Sequence, residues 1–437
     1  MAMRLYRTTR AQAVFGFAVL ACAVFAPAAA FAKKKEPPPA HPPLRATLQP
    51  AFTIPAEPLG FAAPGEFYLG AREAMVSLDF LGEDRLLFTF HVPGLIRRDS
   101  HDAAVENERR IRAVVLHLPE GSIQAETVWT VHDRDRYIFP TGDNHFLFRD
   151  RDTLSVGDAS LQLKPFLRFP GPVLGLEMDP ARQYLVTTSE EKPDRPTHAG
   201  EVDGPETARA QVTDDGPPAS QQSDLILRIL RRESGQVMLV SRIRDPIHLP
   251  INDHGYLDVL RGQGMTWQVN MNPFTGGHYI IGTVDSVCSP VLDFISQSEF
   301  LAVTCGSAGE PRAVALSISG RHLWATPPNI PAVWPRLVSS ANGLRIAWES
   351  LLADNAVNAA APLGSDDIKG QDVQIMDAAT GKLVLRAAAS PIFDIGGNVA
   401  ISPSGRRVAI IMDGNIQVFE LSAPPPIPEA ATVQTSH

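Results

Sequence analysis

Short runs rich in Val, Ile, Leu and Phe alternate with turn residues along most of the chain, and no segment carries the spacing of an amphipathic helix. Apolar runs bounded by Gly, Pro, Asp, Asn and Ser predict strands joined by tight turns. The clearest unit lies near the C-terminus. Val399 to Gly405 is a short strand closing in a turn, Arg406 to Met412 a second strand, Asp413-Gly414 a hairpin turn, and Asn415 to Leu421 a third strand. The strand–turn–strand rhythm recurs at Gly82 to Asp84, Gly142 to Asn144, Asp179 to Ala181, Asn252 to Gly255, Ser296 to Ser298, Asn342-Gly343 and Ser404-Gly405, each turn followed by an apolar run. Repeated units of about four strands predict an all-β fold, a β-propeller of four-stranded antiparallel blades. Seven units are read, and uncertain unit boundaries leave six or eight open.

The last unit has three strands before the chain enters proline, so a strand from elsewhere must close the ring. Ala46 to Ile54 precedes the first complete unit and is predicted to supply it. Three units are stretched, by Arg97 to Arg110, Glu190 to Ser223 and Leu352 to Gln371. Each insert falls between the second and third strands of its unit. In an antiparallel blade those loops leave on the same face as the blade-to-blade connections, so the three inserts are expected to crowd one face.

Within the last unit, Ser402 to Ala409 reads Ser-Pro-x-Gly-Arg-x-x-Ala, and Asp377 to Leu383 reads as an outer-strand turn. These motifs resemble the repeats of exported bacterial WD40-like and TolB-like β-propellers. They cover the last two blades; the remainder shares the rhythm. The resemblance implies a binding or scaffolding module, or a periplasmic component of an envelope complex.

Charge and composition place this ring in a compartment. Arg4, Arg7 and Arg10 precede the uncharged run Ala11 to Phe25, and Ala30-Phe31-Ala32 forms a small-x-small cleavage site. Residues 1–32 are therefore read as a signal peptide, with a lipid-modified Cys22 as the alternative. Residues 33–45 (KKKEPPPAHPP, then Leu44 and Arg45) read as a Lys/Pro-rich linker, 46–423 as the propeller and 424–437 as a Pro-rich disordered tail. Cleavage removes three arginines and no acid, which moves the net charge from −9 to −12. This balance argues against a nucleic-acid partner. No further segment is long and apolar enough to span a membrane, so a periplasmic or secreted monomer is expected.

Only Cys288 and Cys305 then remain of the 3 cysteines. If Ser296-Gln297 is a two-residue turn, Ile295 pairs with Ser298 and Cys288 lies opposite Cys305, which predicts a disulfide in the fifth unit, near the insert-bearing face. Trp129, Trp267, Trp324, Trp334 and Trp348 sit on or beside predicted strands and are assigned to the core between blades. Two charged clusters, His132-Asp133-Arg134-Asp135-Arg136 and Arg149-Asp150-Arg151-Asp152, map to the insert-bearing face. Their arginines suit an anionic or zwitterionic ligand; equally, alternating charges of this kind keep loops soluble. The candidate ligand-binding residues are His132, Asp133, Arg134, Asp135, Arg149, Arg151 and Asp245. No catalytic, metal or cofactor motif is present. A binding module for a protein, peptide or glycan is the leading function. A carbohydrate hydrolase or lyase would need converging carboxylates, for which Asp133, Asp135 and Asp245 are the candidates.

Overall fold

The computed structural model describes residues 46–62, 76–92, 108–132, 136–192, 224–306, 311–326, 332–353, 368–393 and 397–423. The expected signal peptide with Cys22, the linker and the tail lie outside them. Seven antiparallel sheets follow one another along the chain: blade one over residues 76–131, two over 138–168, three over 173–243, four over 255–285, five over 291–325, six over 332–389 and seven over 399–420. Each of the seven turns read from the sequence joins the first and second strands of its blade, and the structure is a seven-bladed β-propeller.

Six blades have four strands; blade four has three. There the first strand is reduced to the isolated bridge between Ile251 and Tyr256 and the bond from Leu257 N to the Pro250 carbonyl, at 3.0 Å. Pro246 and Pro250 remove two backbone donors from this segment, which shortens the ladder it can form.

Seven apolar clusters hold the disc, one at each junction between neighbouring blades. Side chains on a strand alternate between faces, so one strand feeds two clusters. In blade one, Leu86, Phe88 and Phe90 pack toward blade seven while Leu87 packs toward blade two. Trp129 meets Phe148 at 5.0 Å across the first junction, Trp348 packs between blades five and six, and the Trp324 indole N–H donates to the Ala378 carbonyl at 2.7 Å. Trp267 packs between blades four and five. These tryptophans are blade-to-blade core, as expected; the side chain of Trp334 lies outside the described residues.

The closing strand expected over Ala46 to Ile54 is present and shorter, spanning Phe52–Pro55. It pairs with the last strand, Asn415–Glu420, in the register Phe52–Val418, Thr53–Gln417, Ile54–Ile416 and Pro55–Asn415. Ile54 is buried in the cluster between blades seven and one. The turns between first and second strands are also stitched from blade to blade. Ser404 Oγ donates to Glu83 at 2.8 Å, Asn144 N to the Leu81 carbonyl at 2.9 Å, and Arg182 Nη1 to the Pro140 carbonyl at 2.8 Å. Gln297 Nε2 donates to Asp179 at 2.9 Å, Asn252 Nδ2 to the Gln297 carbonyl at 2.8 Å, and Asn342 N to the Pro403 carbonyl at 3.1 Å. Gly343, at φ 70°, approaches so closely that a Cβ would lie 2.7 Å from the Ile295 carbonyl oxygen.

Cys288 and Cys305 form the expected disulfide, with Cα atoms 5.6 Å apart. The register expected for it is corrected by one residue. Ile295 N bonds the Glu299 carbonyl at 3.0 Å, so Ile295 faces Glu299 rather than Ser298, because the turn holds three residues. Cys288 lies ahead of the strand Val291–Phe294, in the connection from blade four, where Val287 N bonds the Cys305 carbonyl at 3.1 Å. The bridge thus ties a blade-to-blade connection to the end of the second strand of blade five.

Ring closure is testable at Ile54. Ile54→Asp places an unpaired carboxylate between blades seven and one and is expected to cost about 3 kcal/mol or more. Denaturant unfolding should show a lower midpoint; an unchanged midpoint would mean that the closing strand contributes nothing to the ring.

Candidate functional site

The first strands of the blades line a central channel, and the channel is unevenly wide. Between blades seven and one it is closed tightly, with Leu78 N bonding the Gly397 carbonyl at 2.8 Å. On the side of blades two, three, five and six it opens into a cavity of about 410 Å³. The interrupted first strand of blade four leaves room there, and His248, just ahead of that segment, bridges the gap. Its Nδ1 lies 2.8 Å from Glu177 Oε1 of blade three, and its Nε2 lies 3.0 Å from Asp293 Oδ1 of blade five and 2.7 Å from the Leu292 carbonyl.

Burial works against charge on His248, but the bonds to Asp293 and Glu177 outweigh it and raise its pKa to about 11. The ring is therefore a fixed cation at neutral pH. Its carboxylates occupy opposite nitrogens, so their oxygens do not converge on one point as metal ligands or a catalytic pair would. Among the described residues no group of His, Cys, Asp and Glu is arranged to hold a metal ion.

Three arginines face the same cavity: Arg136, Arg149 and Arg182. Arg136, the last residue of the first charged cluster, donates from Nε to the Ile138 carbonyl at 2.8 Å and from Nη2 to Asp79 at 2.9 Å, and stacks on Phe139. Asp79 is buried beside Ser77, which also hydrogen-bonds it; burial raises its pKa, opposed by Arg136 and Ser77. Arg182 stands in the first turn of blade three. Burial first, and then the neighbouring Arg136, lower its pKa to about 10. Arg336, on the adjoining narrow part of the channel, is lowered by the same two causes in the same order.

The residues expected from sequence are dispersed. Arg149 is buried, lines the cavity and donates to the Leu174 carbonyl at 3.0 Å. His132 is half-buried and bonded to Asp150, with Nδ1 3.0 Å from Oδ2 and its backbone N 2.9 Å from Oδ1. Arg151 holds a turn at φ 52°, and its carbonyl accepts from Val173 N at 2.8 Å. Asp245 is exposed in the connection between blades three and four. Asp133, Arg134 and Asp135 lie outside the described residues. Among the described members, the structure brings Arg149 into the channel and leaves His132, Arg151 and Asp245 elsewhere.

Sequence reasoning does not single out Asp79, Glu177, His248, Asp293 or Arg182. One signal is present: Asp79, Glu177 and Asp293 are each the only charged residue in a first strand, Val76–Phe80, Val173–Met178 and Val291–Phe294. A charge in a strand that borders the channel has the channel as its only polar outlet.

The His248 clamp gives a pH prediction. Its pKa in the folded protein, about 11, lies above the ordinary value of 6.5, so its stabilisation is complete below about pH 6.5 and is lost as the pH rises toward 11. The difference in melting temperature between the protein and its His248→Gln variant should shrink steadily from pH 6.5 to pH 10. A constant difference would show that protonation of this ring does not contribute.

No family model and no curated protein matches the chain. Solved structures are similar at low identity. Acylaminoacyl peptidase from Pyrococcus horikoshii is 8% identical with a TM-score of 0.45, over 78% of this chain and 50% of that one, so the chain spans about half the length of that enzyme. The β-propeller domain of the Trilobed protease from Pyrococcus furiosus is 9% identical with a TM-score of 0.44, over 80% and 94% of the two chains. The WD40 domain of Toxoplasma gondii coronin is 10% identical with a TM-score of 0.43, over 87% of each. The fold assignment rests on the strand pairing itself.

Proposed function

We propose that the protein is an exported, non-catalytic binding module whose insert-bearing face engages a protein, peptide or glycan. One observation carries this reading. All three long inserts depart from and return to neighbouring positions on a single face. Val92 N bonds the Arg110 carbonyl at 2.9 Å, Glu191 pairs with Asp224, and Ala353 pairs with Ile368. A few residues would close each of these hairpins, so the extra chain is not needed for the ladder it interrupts. Loops held by a rigid scaffold are where binding residues concentrate.

The opposite face supports the same reading by contrast: its first-to-second strand turns are short and spent on bonds to other blades. Export is supported by the N-terminal Arg-then-apolar segment and is compatible with the disulfide. Among the described residues no helix is long and apolar enough to cross a membrane.

Two measurements test the reading. Protein recovered from the source cell's envelope or medium should begin at Lys33 by mass spectrometry; a chain retaining residues 1–32 would refute export by cleavage. Replacing residues 193–222 with a short Gly/Ser link should leave the melting temperature within about 2 °C, because the strands it joins are already paired. The same change should abolish capture of the partner in pull-downs and on glycan arrays. A partner captured equally by the shortened chain would move the binding face elsewhere.

A further inference from the structure

The turn that carries Arg182 has two close relatives among the described turns that join first and second strands. Ser402 to Gly405 in blade seven, Ser340 to Gly343 in blade six and Asp179 to Arg182 in blade three each close with a bond from the fourth residue's N to the first residue's carbonyl, all at 2.9 Å. The fourth residue is left-handed in each: φ 69° at Gly405, 70° at Gly343 and 60° at Arg182. Glycine suits that conformation; a residue with a Cβ is disfavoured there. Blade three places an arginine where these two turns place glycine; the Asp158 to Leu161 turn, closed at the same 2.9 Å, carries leucine there at φ 63°, so a side chain is accommodated at this position.

That side chain enters the channel with most of its capacity unused. A guanidinium has five N–H donors. Among the described residues the Arg182 guanidinium makes one hydrogen bond, to the Pro140 carbonyl, and no ion pair; Asp179 and Asp79 act on it from beyond ion-pair distance. It lines the wide cavity with Arg136 and Arg149, and Arg136 repels it. The His248 cation stands on the wall formed by blades three and five. Of the lining carboxylates, Glu177 and Asp293 are both engaged by His248, and Asp79, from the adjoining cavity, is engaged by Arg136. The cavity volume, about 410 Å³, is that of a small-molecule site, and its walls include Phe139, Met178, Phe294 and Leu337.

We propose that the wide part of the central channel binds a small organic anion, with Arg182 and Arg136 receiving its carboxylate or phosphate group and the apolar walls its carbon frame. Arginine clusters suit such oxyanions because the planar guanidinium can donate two parallel bonds. The test of this site does not depend on the partner of the insert-bearing face.

The experiment uses Arg182→Gly, which restores the residue that the equivalent turns carry. Sodium phosphate and sodium glucuronate are titrated separately by calorimetry and by thermal melting, with sodium chloride holding the ionic strength constant. At least one probe should bind the parent protein with a Kd of about 1 mM or lower. Binding of phosphate alone assigns a phosphorylated ligand, and binding of glucuronate alone a sugar acid or other carboxylate. Arg182→Gly should weaken binding roughly tenfold or more, while its ligand-free melting temperature is equal to or above the parent's. Three results would overturn the proposal: no saturable binding of either probe, equal binding by the variant, or a ligand-free variant melting several degrees lower, which would make Arg182 a structural residue of its turn.

Discussion

The pairing of Phe52–Pro55 with the strand Asn415–Glu420 is the interaction on which the rest of the ring depends. A single four-stranded sheet has two faces to cover and can cover neither alone. Each of the seven clusters is shared by two blades, so removing one blade from the ring exposes two clusters. With the closing strand in place, the apolar cluster between blades seven and one includes Ile54 from the beginning of the fold and Ile416 and Val418 from its end. Residues separated by the whole length of the propeller then stabilise one junction, and the chain cannot unwind from either end without opening it.

The same geometry decides how the channel is built. First strands converge on the axis, where each must satisfy backbone and side chains without help from solvent-exposed neighbours. Those of blades two and seven, Ile138–Pro140 and Val399–Ile401, do so with apolar residues alone, whereas those of blades one, three, five and six each carry one charge. Blade four departs from the pattern because Pro246 and Pro250 deprive its inner segment of donors, and the resulting gap is spanned by ionic contacts from His248 to the flanking blades. A clamp of this kind holds two blades in position while leaving open volume beside it, which a paired β-strand would have filled. The wide cavity and the missing ladder are thus two sides of one local substitution.

Much of this is legible in the chain because it is encoded locally. Turn residues mark the seven first-to-second strand hairpins, and a last unit that is one strand short calls for a closing strand from the other end of the chain. The inserts are legible for the same reason, since their position between second and third strands follows from counting runs. The disulfide is legible with a register that is wrong by one: the turn of three residues at Ser296, Gln297 and Ser298 reads as a turn of two. The bridge forms nonetheless because Cys288 approaches from a connection outside the ladder, where register does not constrain it. The channel cations are not legible. Arg136, Arg182 and His248 come from three different connections and meet through the closure of the ring, and no spacing along the chain records that convergence. What the chain does record is a lone acid in a first strand, at Asp79, Glu177 and Asp293, and that pattern becomes informative once the first strands are known to face a channel.

The two faces of the disc have been given different tasks by their hydrogen bonds. On one, short turns are tied to their neighbours by Glu83, Asn144, Arg182, Gln297 and Asn342, which fixes their positions and commits their polar groups. On the other, the connections are longer, and the hairpins they join are already complete at Val92–Arg110, Glu191–Asp224 and Ala353–Ile368. Changes to the first face disturb junctions between blades; changes to the second leave the ladders intact. Sequence is therefore free to vary on the insert-bearing face at little cost to the ring. Arg182 is the exception on the stitched face: it takes part in the stitching through Pro140, yet occupies a position that glycine fills without strain in blades six and seven. The guanidinium carried at that position lines the channel, which is the ground for the anion site proposed there.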